Sequence, residues 1–75
     1  MGKVHHIGDN AQLRSILTCL GKHDTIRLGS GAFDLITLTT DDVTLVGEPG
    51  TVLPSVIIES NDCHVENLWW AVRTR

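Results

Sequence analysis

One pattern occurs twice in this sequence at a spacing of 20 residues, in the stretches 35–47 and 55–67. Apolar residues align at the inward positions of the two stretches: Ile36 with Val56, Leu38 with Ile58, Val43 with Cys63 and Leu45 with Val65. The turn pair Asp41-Asp42 aligns with Asn61-Asp62, and Gly47 aligns with Asn67. Repeats of about this length, built from short strands, predict a solenoid in which each coil stacks in parallel on the one before.

Short strands are indicated by apolar residues that alternate with other residues from Thr25 onward. The alternating pairs are Ile26 and Leu28, Ile36 and Leu38, Val43 and Leu45, Val56 and Ile58, and Cys63 and Val65. Segments of turn composition separate these strands. Gly47 and Asn67 both tolerate a positive φ, so we expect their shared position to be a corner between strands.

An amphipathic helix is predicted over residues 9–20. Its apolar residues recur at the i, i+3, i+4 and i+7 positions of one helical face: Leu13, Ile16, Leu17 and Leu20. Asp9 is the predicted N-cap, Gln12 occupies a capping-box position, and Gly21 marks the C-terminal end. Because so short a helix is not stable alone, its apolar face must pack against the strands.

This order of elements resembles the N-terminal portion of right-handed parallel β-helix proteins, the pectin-lyase-like superfamily. The segments that carry the resemblance follow the helix: Asp24–Phe33, Ile36–Leu38, Val43–Glu48 and Val65–Leu68. It implies a mainly β fold, a short right-handed parallel β-helix of two to three coils, in which the amphipathic helix covers the N-terminal end. We therefore expect one small domain, 1–75, with a capping helix at 9–20, coils at 24–70 and a tail at 71–75.

The resemblance does not select an activity, because one fold can host many functions. The family includes polysaccharide lyases, glycoside hydrolases, esterases, phage tailspikes and carbohydrate-binding modules. The catalytic groups of its lyases and hydrolases usually sit on the middle coils of a longer stack, which this sequence does not contain. No Ser/His/Asp or Cys/His nucleophile arrangement can be placed in the sequence, so no catalytic residue is predicted.

Composition and charge argue against several classes of partner. Six Lys and Arg against nine Asp and Glu leave a formal charge of −3, which disfavours binding to nucleic acid. No apolar run in the sequence, Val56–Ile58 included, approaches the roughly 20 residues that cross a membrane. The first residues lack the apolar run of a signal peptide, so we expect a cytoplasmic protein.

Self-association is predicted because the C-terminal end of the coil stack has no cap. An open end exposes apolar side chains and unpaired strand edges, so we expect a homo-oligomer that forms through this end. Trp69 and Trp70 are the predicted interface residues, since tryptophan is enriched at interface centres. The alternative is that one tryptophan packs internally and the other is merely exposed. Val46 and Ile57, which alternate out of phase with the core, are predicted to add a lateral surface patch.

A carboxylate cluster is a second candidate site. Asp41, Asp42 and Asp62 would stack at one turn of neighbouring coils, where they could bind Ca²⁺ or act on a sugar. The alternative is that these side chains satisfy backbone amides of the turn. The other possible ligands share no metal-binding spacing, so no metal or cofactor is predicted. They are His5, His6, His23, His64, Cys19 and Cys63.

Two functions follow from these patterns. The first is a non-catalytic structural or interaction protein that self-assembles through its uncapped end. The alternative is a carbohydrate-binding module, or a relict of a polysaccharide lyase or hydrolase. In that alternative, Trp69 and Trp70 form a sugar-stacking platform and the acidic turn forms its polar rim.

Overall fold

The computed structural model describes residues 2–74, with the backbone alone for Trp69 and Thr74. These residues form a mainly β structure, which confirms the predicted class. The elements in chain order are β1 (Val4–Ile7), α1 (Asn10–Thr18), β2 (Thr25–Leu28), β3 (Gly31–Ala32), β4 (Ile36–Leu38), β5 (Thr44–Gly47), β6 (Thr51–Val52), β7 (Val56–Ile58), β8 (His64–Glu66), a 3₁₀ helix (Trp69–Ala71) and β9 (Val72–Thr74).

Every strand pair within residues 2–74 is parallel. Sheet A has the order β1-β2-β5-β8, sheet B pairs β3 with β6, and sheet C has the order β4-β7-β9. The residue spacing that relates the repeats in the sequence also relates paired strands, because Ile36 pairs with Val56 and Leu45 with Val65. Three stretches of chain, 25–38, 44–58 and 64–74, therefore run side by side in one direction.

The core is built from the inward residues of adjacent strands. Leu45 lies between Ile26 and Val65 in sheet A, and Val56 lies between Ile36 and Val72 in sheet C. The buried hydrophobic residues are Ile7, Leu13, Ile26, Leu28, Phe33, Ile36, Leu38, Val43, Leu45, Leu53, Val56, Leu68 and Ala71. Full burial of one such aliphatic side chain contributes roughly 1.5–3 kcal/mol, so these buried residues supply much of the driving force for folding.

A residue with positive φ stands two positions before each of β2, β5 and β8. These residues are His23 (68°), Asp42 (59°) and Asp62 (59°), and both residue types adopt this conformation more readily than most. The His23 N–H donates to Asp42 O at 3.0 Å, and the Asp42 N–H donates to Asn61 O at 3.1 Å. The same sharp corner thus recurs in successive stretches of the chain.

Helix α1 begins where the sequence predicts and ends two residues earlier. The Asp9 carboxylate accepts the Gln12 N–H at 2.9 Å, and Gln12 Oε1 in turn accepts the Gly8 N–H at 2.6 Å. The helix ends at Thr18 with Cys19 as its C-cap, because Gly21 belongs to a separate turn that is held by Asp24. Leu13 is buried, and three further apolar residues of the helical face pack against the core: Ile16, Leu17 and Leu20.

Removal of the N-cap should destabilise the protein moderately. We expect Asp9→Ala to lower the free energy of unfolding by about 1 kcal/mol, because it removes the acceptor of the Gln12 N–H from an exposed helix end. Urea titration followed by far-UV circular dichroism measures this. Asp9→Asn, which keeps a capping oxygen, should lose much less, and equal losses in both variants would contradict a capping role.

The structure differs from the sequence-based expectation in several elements. The predicted tail at 71–75 contains β9, which pairs with β7. Strand β1 was not predicted because Val-His-His-Ile lacks a clear apolar alternation, and the two-residue strands β3 and β6 are too short to show one. The expected corner forms at Asn67, whose φ is 61°, whereas Gly47 ends β5 without a positive φ.

Candidate interaction surface

Within residues 2–74, the last strand of each of the three sheets has one unpaired edge. The stretch 44–58 lies against 25–38 through all three sheets, so its far side faces one direction. Strands β8 and β9 lie on that far side, and within residues 2–74 neither pairs with a further strand. Helix α1 packs next to β1, the strand at the opposite edge of sheet A. We call the β8 and β9 side the open end.

The outer edge of β8 presents the backbone groups of one residue. The His64 N–H donates to Val43 O at 3.0 Å, which directs the polar groups of His64 toward β5. Backbone groups of consecutive strand residues point to opposite sides. The N–H and C=O of Val65 therefore point away from β5, toward the open edge.

A depression of about 450 Å³ runs along this edge of β8. His64, Val65, Glu66 and Asn67 line it. The Val65 side chain points to one face of the sheet, and the side chains of His64 and Glu66 point to the other. Because the depression contacts all three residues, it follows the edge of the strand. His64 and Glu66 are exposed, and His64 Nε2 lies 3.3 Å from Glu66 Oε1.

The chain between β8 and β9 takes a shorter path than the corresponding segment before it. Val56 pairs with Ile36, twenty residues earlier, but with Val72, only sixteen residues later. Asn67 opens the path with its positive φ, and its amide Nδ2 donates to Gly47 O at 3.2 Å. Leu68 and Ala71 point into the core, so this connection covers part of the open end.

The predicted interface residues occupy different places. Trp70, in the short connection between β8 and β9, is 59% exposed, whereas the side chain of Trp69 lies outside the described residues. Val46 and Ile57 are both half-buried and belong to sheets A and C, respectively. The open end therefore presents Trp70, while Val46 and Ile57 are placed on two separate sheets.

The acidic turn has a structural role that its sequence allows for. The Asp41 carboxylate accepts the Asn61 N–H at 2.9 Å, and Asp42 and Asp62 adopt the positive φ of the recurring corner. These interactions do bring the two turns side by side. Among residues 2–74, no group of three or more His, Cys, Asp or Glu side chains is arranged to hold a metal ion.

Cys63 and Cys19 both serve the structure around them. Cys63 is half-buried against the core, with Sγ 3.1 Å from Ser60 Oγ. Cys19 is exposed and its Sγ donates to Ser15 O at 3.2 Å. It lines an open cavity of about 260 Å³ between β1 and α1, together with His5 and His6.

Asp24 is a buried carboxylate after the C-terminal end of α1, and the sequence patterns did not predict it. Asp24 Oδ1 accepts the Lys3 N–H at 2.9 Å, while Oδ2 accepts the Gly21 N–H at 3.1 Å and lies 3.0 Å from His5 Nε2. An ionised carboxylate only accepts hydrogen bonds, so the His5 ring is the donor. The Lys3 N–H, the His5 ring and the Gly21 N–H lower the Asp24 pKa to about 2. Asp24 thus ties β1 to the turn after α1.

Comparison with known proteins finds no match for this chain among family models, curated proteins or solved structures. The resemblance to pectin-lyase-like proteins therefore stays a prediction from the sequence. Within residues 2–74, no helix has the length and apolar character needed to cross a membrane.

Proposed function

We propose that this chain is a short right-handed parallel β-helix that acts as a non-catalytic interaction protein and self-assembles through its open end. The parallel stretches of chain support the β-helix, because 25–38 and 44–58 visit sheets A, B and C in the same order, and 64–74 visits sheets A and C in that order. The right-handed sense follows from the strong preference of parallel strand connections for that hand.

The observation that carries the proposal is the unpaired outer edge of β8 beside the exposed Trp70. An unpaired strand edge is a template for another strand, and soluble proteins usually cover it or protect it with charge or proline. Tryptophan is among the residues that contribute most to protein interfaces when it becomes buried. Both features lie at one end of the molecule, where assembly would cover them together.

Self-assembly predicts an oligomer whose population depends on protein concentration. Light scattering on a size-exclusion column should give a discrete mass above that of the 8.2 kDa chain. Trp70→Lys should weaken the oligomer by roughly 30-fold or more, because loss of a central interface tryptophan typically costs 2 kcal/mol or more.

A matched control for Trp70→Lys lies in β1. Val4 is 57% exposed, close to the value for Trp70, but belongs to the strand at the other edge of sheet A. Val4→Lys should leave the mass unchanged while circular dichroism checks the fold of both variants. A wild-type chain that is monomeric at every concentration would contradict self-assembly. If that monomer also changed its tryptophan fluorescence with oligosaccharides, the carbohydrate-binding alternative would replace it.

A further inference from the structure

We propose that β8 pairs with β8 of a second copy in an antiparallel arrangement centred on Val65, which makes the assembly a two-fold symmetric dimer. This inference rests on the proposed self-assembly and adds the strand, the direction and the register. Two features support it: the backbone groups that the outer edge of β8 presents, and the side chains of His64 and Glu66 that flank them.

The direction of pairing follows from symmetry. Helix α1 packs beside β1, the strand at the far edge of sheet A. We therefore take the open end of one copy to pair with the open end of the other. When two copies use the same surface, a two-fold axis relates them, and residue i of one contacts residue j of the other and the reverse. A strand that meets its own copy across such an axis runs antiparallel to it.

The register follows from the hydrogen bonds that β5 already uses. The backbone groups of His64 face β5, and those of Glu66, two residues on, face the same side. Val65 is the residue of β8 whose N–H and C=O face outward. An antiparallel pair in which two residues exchange both N–H···O bonds therefore places Val65 opposite Val65 of the second copy.

This register makes the flanking side chains complementary, because an imidazole can donate a hydrogen bond to a carboxylate. With Val65 at the axis, His64 of each copy lies opposite Glu66 of the other, on the same face of the joined sheet. Both side chains are exposed in the single chain, at 64% and 55%, so they are free to exchange their contact within the strand for contacts across it. Two hydrogen-bonded pairs of His64 and Glu66 then form around one axis, whereas a register shifted by one residue would leave the outward groups of Val65 unpaired.

The row of inward-facing residues in sheet A continues across the same axis. Ile26 and Leu45 are fully buried, but Val65, which follows them in sheet A, is only half-buried. Antiparallel pairing brings the two Val65 side chains together on the inner face, where each covers the exposed side of the other. Each copy has one β8 edge, and pairing uses the edge of both copies, so this contact joins two copies.

Disulfide trapping tests the register. Two variants are prepared in a background with Cys19→Ser and Cys63→Val: one carries His64→Cys and the other carries Glu66→Cys. They are oxidised separately and as an equimolar mixture. Positions 64 and 66 of opposite copies form a non-hydrogen-bonded pair with Cα atoms about 4.5 Å apart, within disulfide range. Two copies of position 64 are diagonal neighbours, about 7–8 Å apart, beyond that range. Oxidation should therefore give a covalent dimer in the mixture and little covalent dimer in either variant alone.

Charge exchange tests the same contact without cysteine. His64→Glu places Glu opposite Glu at two symmetric sites and should raise the dimer dissociation constant roughly 10-fold or more. The double variant His64→Glu/Glu66→Lys replaces the two repulsive contacts with two Glu–Lys pairs and should return the constant to within about 3-fold of wild type. Both positions are exposed, so circular dichroism should be unchanged in all variants.

The outcomes separate this inference from the proposal on which it rests. Cross-linking in the mixture together with recovery in the double variant supports the β8 pairing. A wild-type dimer that neither cross-links in the mixture nor responds to His64→Glu would overturn the pairing and leave self-assembly intact. A wild-type chain that stays monomeric would overturn both.

Discussion

Replacement of Leu68 by alanine is expected to remove about 2–5 kcal/mol from the free energy of unfolding. Leu68 is fully buried and lies in the short connection that joins β8 to β9 across part of the open end. A domain of this length has a total stability of only about 4–11 kcal/mol at typical values per residue. The variant should therefore unfold at a much lower urea concentration, measured at one fixed protein concentration because self-association adds to apparent stability.

The partner of Leu68 is Gly47, and this contact makes a sharper test possible. A Cβ atom on Gly47 would lie 2.6 Å from Leu68 Cγ and 2.7 Å from Cδ2, closer than real Cβ contacts allow. Gly47→Ala should then cost about 1–3 kcal/mol through overpacking. Alanine at position 68 lacks the atoms that clash, so Gly47→Ala/Leu68→Ala should cost at least about 1 kcal/mol less than the two single changes added together.

Gly29→Ala provides the control for the alanine substitution itself. A Cβ atom on Gly29 would approach nothing closer than Ile7 O at 3.5 Å, an ordinary contact distance. Its stability should change little or rise slightly, because alanine reduces the freedom of the unfolded chain. Strictly additive costs at positions 47 and 68 would mean that Leu68 does not pack on Gly47.

The register of two of the six strand pairs within residues 2–74 could be predicted from the sequence, because burial sets the alternation of apolar residues. The alignment of stretch 35–47 with stretch 55–67 matches the register observed in sheets A and C, where Ile36 pairs with Val56 and Leu45 with Val65. A shift of one residue would turn these side chains out of the core, so the pattern fixes the register strongly.

The remaining pairing depends on backbone contacts that leave no apolar pattern. Strands β3 and β6 contribute mostly exposed residues, and β9 pairs after a connection shorter than the repeat. Gly47 illustrates the difficulty. Its alignment with Asn67 predicts a shared corner, whereas the structure requires glycine there because Leu68, a residue far along the chain, packs on its Cα.

The candidate site could be predicted only in part for a related reason. The exposure of Trp70 fits the predicted interface, whose role stays a prediction, but the positions of His64 and Glu66 matter only once the hydrogen bonds of β5 leave Val65 facing outward. Asp24 was not predicted because it aligns with Val43 and Cys63, the apolar residues directly before β5 and β8, where a carboxylate is unexpected. Its donors come from residues 3, 5 and 21, which the sequence does not bring together.

Acid should destabilise this protein through Asp24. Its folded-state pKa of about 2 lies below the ordinary value of 3.8, because the Lys3 N–H, the His5 ring and the Gly21 N–H all favour the ionised form. A carboxylate with a lowered pKa stabilises the fold fully above its ordinary pKa, and that contribution is lost as the pH falls toward the folded-state value. The free energy of unfolding should therefore decline between about pH 5 and pH 2, as urea titrations at each pH measure.

Asp24→Asn separates this carboxylate from the other acids that protonate in the same range. The asparagine amide keeps one accepting oxygen, but its NH₂ group would face either the Lys3 N–H or the Gly21 N–H. The variant should be less stable at pH 7 and should lose less stability than wild type on acidification. Asp34→Asn removes an exposed carboxylate that contacts Arg14, so it should change stability by no more than about 1 kcal/mol and keep the wild-type pH profile. If Asp24→Asn kept that profile as well, acid sensitivity would have to arise from other carboxylates.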